Sequence, residues 1–350
     1  MYERTAVSPF RTIPIDQAAG TTLAHDMTEI IPGRHKGPAF KKGHKIKQED
    51  LCRLMRMGKN NLYVLDLKKN EVHEDDAVVE LASALSGPGV IFSANPSEGK
   101  LELKAAYPGL LKVNIEALID FNMIDDVMCA SIHNNHCVSK NDSLAATRAI
   151  PLVIKREELN KALATAKQNY PVFSVSMFNP MKIRLIITGN EVYNGLIQDK
   201  FKTIVEKKIK ALGATLEETV ILPDDQTLIT SQIKSYLDKD TDLIITTGGM
   251  SVDPDDVTRF AIEQAGFDHI HYSSAVLPGA MFLLGYSDTT SVMGIPACGL
   301  HHKTTIFDLI FPRIMVGEKP GKRELAKLCH GGLCQNCKPC IFPMCPFGKS

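Results

Sequence analysis

Two stretches of this 350-residue chain hold residues whose types and spacing could do chemistry. In LIITTGGMSVDPDDVTR, Leu243 to Arg259, an apolar run meets Gly248 and Gly249, then Ser251, then Asp253, Asp255 and Asp256. Glycines let the main chain approach an anion closely, and the first N–H groups of a following helix donate along a favourable dipole. The aspartates would repel that anion unless a hard cation such as Mg2+ lay between, held by one or two carboxylates, water and phosphate. The same residues also suit a plain turn and a helix cap. Acidic groups follow two other apolar runs: Glu191 beside Asn190 in ITGNEVYNG, and Asp224 with Asp225 in ILPDDQ. Each alone reads as a solvated loop carboxylate. Three successive strand ends carrying acids toward one crevice point instead to a site.

The second stretch is the tail, CHGGLCQNCKPCIFPMCPFGKS, where five of the nine cysteines fall between Cys329 and Cys345. Cys334, Cys337 and Cys340 are separated by two residues each, and Cys345 is followed by Pro346. In a reducing compartment such crowding points to metal rather than disulfides. The run approaches the iron–sulfur spacing C-x2-C-x2-C-x3-C-P with one extra residue. Four of Cys329, His330, Cys334, Cys337, Cys340 and Cys345 would equally make a tetrahedral zinc site. Rich in Cys, Gly and Pro, the tail is expected to order only around an ion and to stand apart from either core. His133, His136 and Cys137, by contrast, read as turn residues near a strand end.

The elements that must position these groups follow a rhythm. MKIRLIITG is a β-branched run ended by glycine, and QDKFKTIVEKKIKALGA carries Phe201, Ile204, Val205, Ile209 and Leu212 at helical spacing before Gly213. ATLEETVIL, TLITSQIKSYLDKD, TDLIITT and DDVTRFAIEQAG repeat the alternation, MFLLGY and TTSVMGIP read as further strands, and HHKTTIFDLIFPRIMVG as a closing helix. Such alternation predicts a mostly parallel sheet covered on both faces, a three-layer α/β/α domain over residues 178–320. Gly248 and Gly249 then lie at a strand's carboxyl end, where open α/β sheets bind ligands. Residues 1–177 read as a separate α+β domain. Helices are expected in QEDLCRLMRMG, DDAVVELASALSG, VNIEALIDFN and REELNKALATAKQ, strands in NLYVLDL, DVMCASIH and LAATRAIPLVIK, and a linker in NYPVFSVSMFNP. Residues 321–350 form the tail.

Composition bounds the function. Hydrophobic residues make up 44% of the chain, enough for about two cores, and Lys+Arg balance Asp+Glu at 40 each. No bulk field gathers nucleic acid or anionic lipid. The start MYERTAVSPF lacks a signal peptide's apolar core, and no run approaches the ~18 apolar residues of a membrane span. A cytoplasmic location is the expectation.

TTGGMSVDPDDVT resembles the signature of the molybdopterin-binding domain of molybdenum cofactor biosynthesis proteins of the MoeA and MogA types, and of related CinA-like proteins. The resemblance extends over the whole second domain. It implies functional roles for Glu191, for Asp224 or Asp225, and for Asp256, with Mg2+ at the last three. It also implies cofactor contacts at Thr247, Gly248, Gly249 and Ser251, and at Pro278, Gly279, Pro296 and Gly299 in AVLPGAMFLLG and VMGIPACGL. This chain has Leu277 and Ala280 where MoeA-type loops carry lysines, and PACG replaces PGNP, so the charge that would neutralise adenylylated pterin or molybdate is missing. Cys298 reads as a small buried hydrophobe, while His301, His302 and Lys303 could return positive charge. FKKGHKIKQEDLCRLMRMGKNNLYVLDL is similar to a MoeA segment, followed here by a different insert. The implied function is Mg2+-dependent insertion of molybdate into adenylylated molybdopterin, by a homodimer that serves a recipient molybdoenzyme. A non-catalytic cofactor carrier or sensor and a CinA-like nucleotide pyrophosphatase are the alternatives.

Overall fold

The computed structural model describes residues 11–31, 35–64, 67–97, 99–251 and 253–349. The chain divides into two compact units. The first runs to Tyr107 and takes in Lys112–Ile132 and Ser139–Val175; the second takes in Pro108–Leu111, His133–Val138 and everything from Ser176. Among the described residues, no helix is long and apolar enough to cross a membrane.

The second unit contains β1 (Lys182–Thr188), α1 (Asn190–Tyr193), α2 (Phe201–Ala211), β2 (Thr215–Leu222), α3 (Gln226–Leu237), β3 (Leu243–Thr247), α4 (Thr258–Ala265), β4 (His269–Tyr272), β5 (Leu283–Tyr286), β6 (Ser291–Ile295), α5 (Ile306–Met315) and α6 (Lys322–Lys327). Its sheet runs β2-β1-β3-β6-β5-β4. The first four strands are parallel, β5 pairs antiparallel with β6, and β4 pairs antiparallel with β5. Strand alternation splits the apolar residues between two layers. Ile183, Leu185 and Ile187 pack with Phe201, Val205 and Ile209 of α2 and Ile310 and Phe311 of α5. Ile186 and Ile244 pack with Ile229 and Ile233 of α3 and Ala261 and Ile262 of α4 on the other side. The result is the expected three-layer α/β/α arrangement. The helix ends follow their sequences: Asp225 caps α3 by accepting from the Leu228 N–H at 3.0 Å, Thr305 and Asp308 form a capping box on α5, and Gly266 ends α4 at φ 101°.

The first unit is α+β. Helices span Asp50–Arg56, Glu74–Leu85, Ile115–Asn122 and Arg156–Gln168. A four-stranded antiparallel sheet runs Val90–Phe92, Lys100–Ala105, Ser143–Ala149, Val127–Ser131. The expected strand in LAATRAIPLVIK is two, Ser143–Ala149 and Val153–Lys155, with Pro151 between them withholding a ladder donor. NLYVLDL is a strand over Asn61–Val64, and its Leu65 and Asp66 lie outside the described residues. The stretch NYPVFSVSMFNP is no open linker, because Val172 and Phe173 are fully buried and Phe173–Ser176 is a strand.

The tail also departs from expectation. Instead of standing apart, it belongs to the core of the second unit. Phe347 is 3% exposed, and Leu328, Phe342, Cys334 and Cys345 pack against the same layer as α5. Main-chain bonds fix it in place: Leu277 N–H donates to the Gly332 carbonyl and Cys334 N–H to the Leu277 carbonyl, both at 2.8 Å. Its few apolar residues suffice because they land on an existing apolar surface rather than having to build one. Truncation after Lys327 should therefore lower the denaturation midpoint of the whole second unit. Phe347→Ala alone should cost about 3 kcal/mol in a urea titration. An unchanged midpoint in both would mean the tail is independent after all.

Candidate functional site

The carboxyl ends of β1, β2 and β3 lie side by side, and three loops leave them. Thr188 closes β1; its hydroxyl donates to the Thr247 carbonyl at the end of β3 and pairs with the Thr258 hydroxyl at the start of α4, both at 3.1 Å. Gly248 and Gly249 turn the chain at φ 85° and 57°. A Cβ on Gly248 would lie 2.3 Å from the Thr188 carbonyl oxygen, and one on Gly249 would lie 2.3 Å from the Thr258 hydroxyl. The two glycines are thus required by the closure of the loop itself, with or without an anion. Ser251 beyond them is exposed, and Val252 lies outside the described residues.

The carboxylates are held by their own loops. Asp224 Oδ2 accepts from the Asn190 N–H at 2.9 Å while Asn190 Oδ1 accepts from the Asp224 N–H at 3.2 Å, which ties the β1 and β2 loops together. Asp256 Oδ2 accepts from the Asp253 N–H at 2.9 Å. The Asp224 carboxyl is pushed above the ordinary carboxylate range, first by burial and then by the charges of Glu191, Asp255 and Asp256, against the opposing Asn190 N–H bond. Asp224 therefore feels Glu191, Asp255 and Asp256 across three strand ends. Asp225 differs: exposed, it spends its carboxylate on the α3 cap. Of the adjacent pair, Asp224 is the member turned to its acidic neighbours.

Among the described residues, no three His, Cys, Asp or Glu side chains stand close enough to hold a single metal ion. The expected Mg2+ ligands Asp224, Asp225 and Asp256 do not form a ready cage, nor do Cys329, Cys334, Cys337, Cys340 and Cys345. The arrangement at the strand ends suits a cation that takes one or two carboxylates and completes its shell with water and a ligand's phosphate, as Mg2+ does. The Thr247 hydroxyl, next to Gly248, is fully buried and has no hydrogen-bond partner.

The later loops are packed from below. Gly279, at φ 128°, is pressed against Ile306 of α5, 2.4 Å from where its Cβ would be, and Pro278 precedes it. Pro296 and Gly299 are buried, and burial raises the Cys298 thiol, which keeps it protonated. Leu277 forms a parallel bridge with Leu333, which ties the tail to the loop that carries lysines in the MoeA pattern while both leucine side chains stay exposed. His301, His302 and Lys303 precede α5 rather than open it. With Lys338 of the tail they border an open cavity of about 530 Å3. The turn at His133 to His136 and the Cys137 thiol, raised to about 11 by burial, carry no ligand geometry among the described residues. The reading from sequence missed the Thr188–Thr258 hydroxyl pair. Its only local signal was a threonine closing one strand and another opening a helix.

Residues 184–318 match the family described as "Probable molybdopterin binding domain", and residues 12–66 match a domain of unknown function. A CinA-like protein of Fervidobacterium nodosum is 37% identical over 81 residues, 23% of this chain and 20% of that protein. A molybdopterin molybdenumtransferase of Haemophilus influenzae is 24% identical over 168 residues, 45% of this chain and 40% of that one. The chain thus matches less than half the length of these relatives. A solved structure of the molybdopterin biosynthesis Mog protein from Mycobacterium ulcerans superposes with a TM-score of 0.34 at 19% identity, over 38% of this chain and 94% of that one.

A carboxyl raised by the fold favours its protonated form there, so its stabilising contribution is complete below the ordinary aspartate range and is lost as pH rises through the raised value. Asp224→Asn removes this loss while keeping an acceptor for the Asn190 N–H. Without divalent cations, the variant should match the parent at acid pH and melt higher at neutral pH. A variant that melts lower at neutral pH would show that the acids do not repel.

Proposed function

We propose that this chain, whose residues 184–318 form a molybdopterin-binding domain, works in molybdenum cofactor assembly, inserting molybdate into adenylylated molybdopterin with Mg2+ and releasing AMP. The observation that carries the reading is the Asp224 carboxyl, raised first by its burial and then by the charges of Glu191, Asp255 and Asp256. An anionic pterin phosphate cannot approach such a group of carboxylates without a cation. Bound Mg2+ would supply the bridging positive charge and polarise the phosphoryl oxygen that leaves. Asp224 and Asp256, held by the Asn190 and Asp253 N–H groups, would present fixed oxygens to the ion. Glu191, in the first turn of α1, would orient water at the phosphoryl group. Thr247 would donate its unpaired hydroxyl to phosphate. Positive charge for molybdate would come from Lys303 and Lys338 around the open cavity, in place of the lysines absent at Leu277 and Ala280.

One observation favours a second reading. The tail is hydrogen-bonded to the Leu277 loop, which has no lysine at Leu277 or Ala280, and this suits a carrier that holds finished cofactor for a recipient molybdoenzyme. The similarity to CinA-like proteins adds pyrophosphatase chemistry on a nucleotide as a third outcome.

Incubation with adenylylated molybdopterin, Mg2+ and molybdate separates these readings. AMP release that needs both Mg2+ and molybdate supports insertion. Tight binding of finished cofactor without AMP release supports the carrier, and turnover of ADP-ribose supports the pyrophosphatase. Asp256→Asn keeps the acceptor for Asp253 and removes only charge, so it should fold normally and lose AMP release by about a hundredfold or more. Unchanged turnover in that variant would remove Asp256 from the chemistry.

A further inference from the structure

The strand-end site leaves the tail cysteines unexplained. All nine cysteines are free, and five of them sit in a segment fixed to the second unit's core. Four of those five border one small enclosed cavity of about 20 Å3: Cys334, Cys337, Cys340 and Cys345, roofed by Phe342 and Phe347. Cys334, Cys337 and Cys340 also border the open cavity of about 530 Å3 on their other side. Cys329 borders neither and is exposed. The fold thus selects the four thiols of the C-x2-C-x2-C-x4-C-P run and leaves out the fifth.

We propose that Cys334, Cys337, Cys340 and Cys345 hold an iron–sulfur cluster. Sequence spacing alone serves a cluster or a zinc ion equally; the placement of the thiols separates them. A tetrahedral zinc ion with bonds of about 2.3 Å draws its four sulfurs to within roughly 3.8 Å of one another. No three of these thiols are gathered for one ion, although all four border the same space. A cluster binds thiolates at its outer corners, where its own irons and sulfides keep them apart. The segment from Gln335 to Pro346 carries no helix or strand.

The surroundings fit thiolates. The Thr304 hydroxyl lies 3.5 Å from Cys340 Sγ. Hydrogen bonds to sulfur and an apolar roof are the means by which a protein tunes such a cluster. The assignment stands whether or not the strand ends bind molybdopterin, since it concerns other residues and another readout.

The test uses the full chain, produced and purified without oxygen, with iron, acid-labile sulfide and zinc measured per chain. The proposal expects iron and sulfide in equal amounts, about four of each, with a broad visible absorption that bleaches on reduction. Cys337→Ser should lose most of the iron while keeping the parent's circular dichroism, and Cys329→Ser should keep both iron and absorption. About one zinc per chain without sulfide would overturn the cluster, as would the absence of both metals after anaerobic reconstitution with ferrous iron and sulfide. Loss of iron in Cys329→Ser with retention in Cys337→Ser would overturn the ligand set.

Discussion

Repulsion among carboxylates at the ends of three parallel strands is the constraint on which the functional reading rests. Glu191, Asp255 and Asp256 act on Asp224 from neighbouring strand ends, and burial first, then their charges, make Asp224 hold its proton more tightly than a free aspartate would. In the proposed function a cation between the acids would turn the repulsion into binding free energy, and the site would then accept an anionic phosphate.

The scaffold exists to bring those loops together. β1 and β3 are apolar on both faces, so each can lie at the centre of a sheet with helices above and below, and parallel pairing sets their carboxyl ends at one level. Thr188 then locks the two ends together through the Thr247 carbonyl and the Thr258 hydroxyl, in a space that admits only glycine at 248 and 249. Local packing thus accounts for the glycines, and the acids carry the functional argument. Joined to the later loops at Leu277, the tail supplies what the sheet lacks: a cationic side chain, Lys338, beside the open cavity, and four thiols around one enclosed space.

Much of the second unit was legible because its signals are local. A β-branched run ended by glycine and a helix with Phe201, Val205 and Ile209 on one stripe announce themselves within a dozen residues. Strand β4 escaped because HIHY carries histidines where strands usually show aliphatic residues. Lys100–Ala105 was readable in principle, since Leu101, Leu103 and Ala105 alternate inward. The choice between Asp224 and Asp225 was not readable: neighbours in sequence, they point to different partners, and only the Asn190 contact and the α3 cap tell them apart. The Thr188–Thr258 contact spans seventy residues, and the tail's burial depends on a surface made by α5. Such long-range complementarity leaves no trace in a window of sequence.

The central claim is that the crevice binds phosphate through a divalent cation. Calorimetric titration of molybdopterin into the full chain, with Mg2+ and again in excess chelator, tests it most directly. The account predicts binding with Mg2+ that weakens at least about tenfold when the ion is withdrawn, and a gain of Mg2+ affinity by the same factor when the pterin is present, as linkage requires. Equal affinity in Mg2+ and in chelator would contradict it.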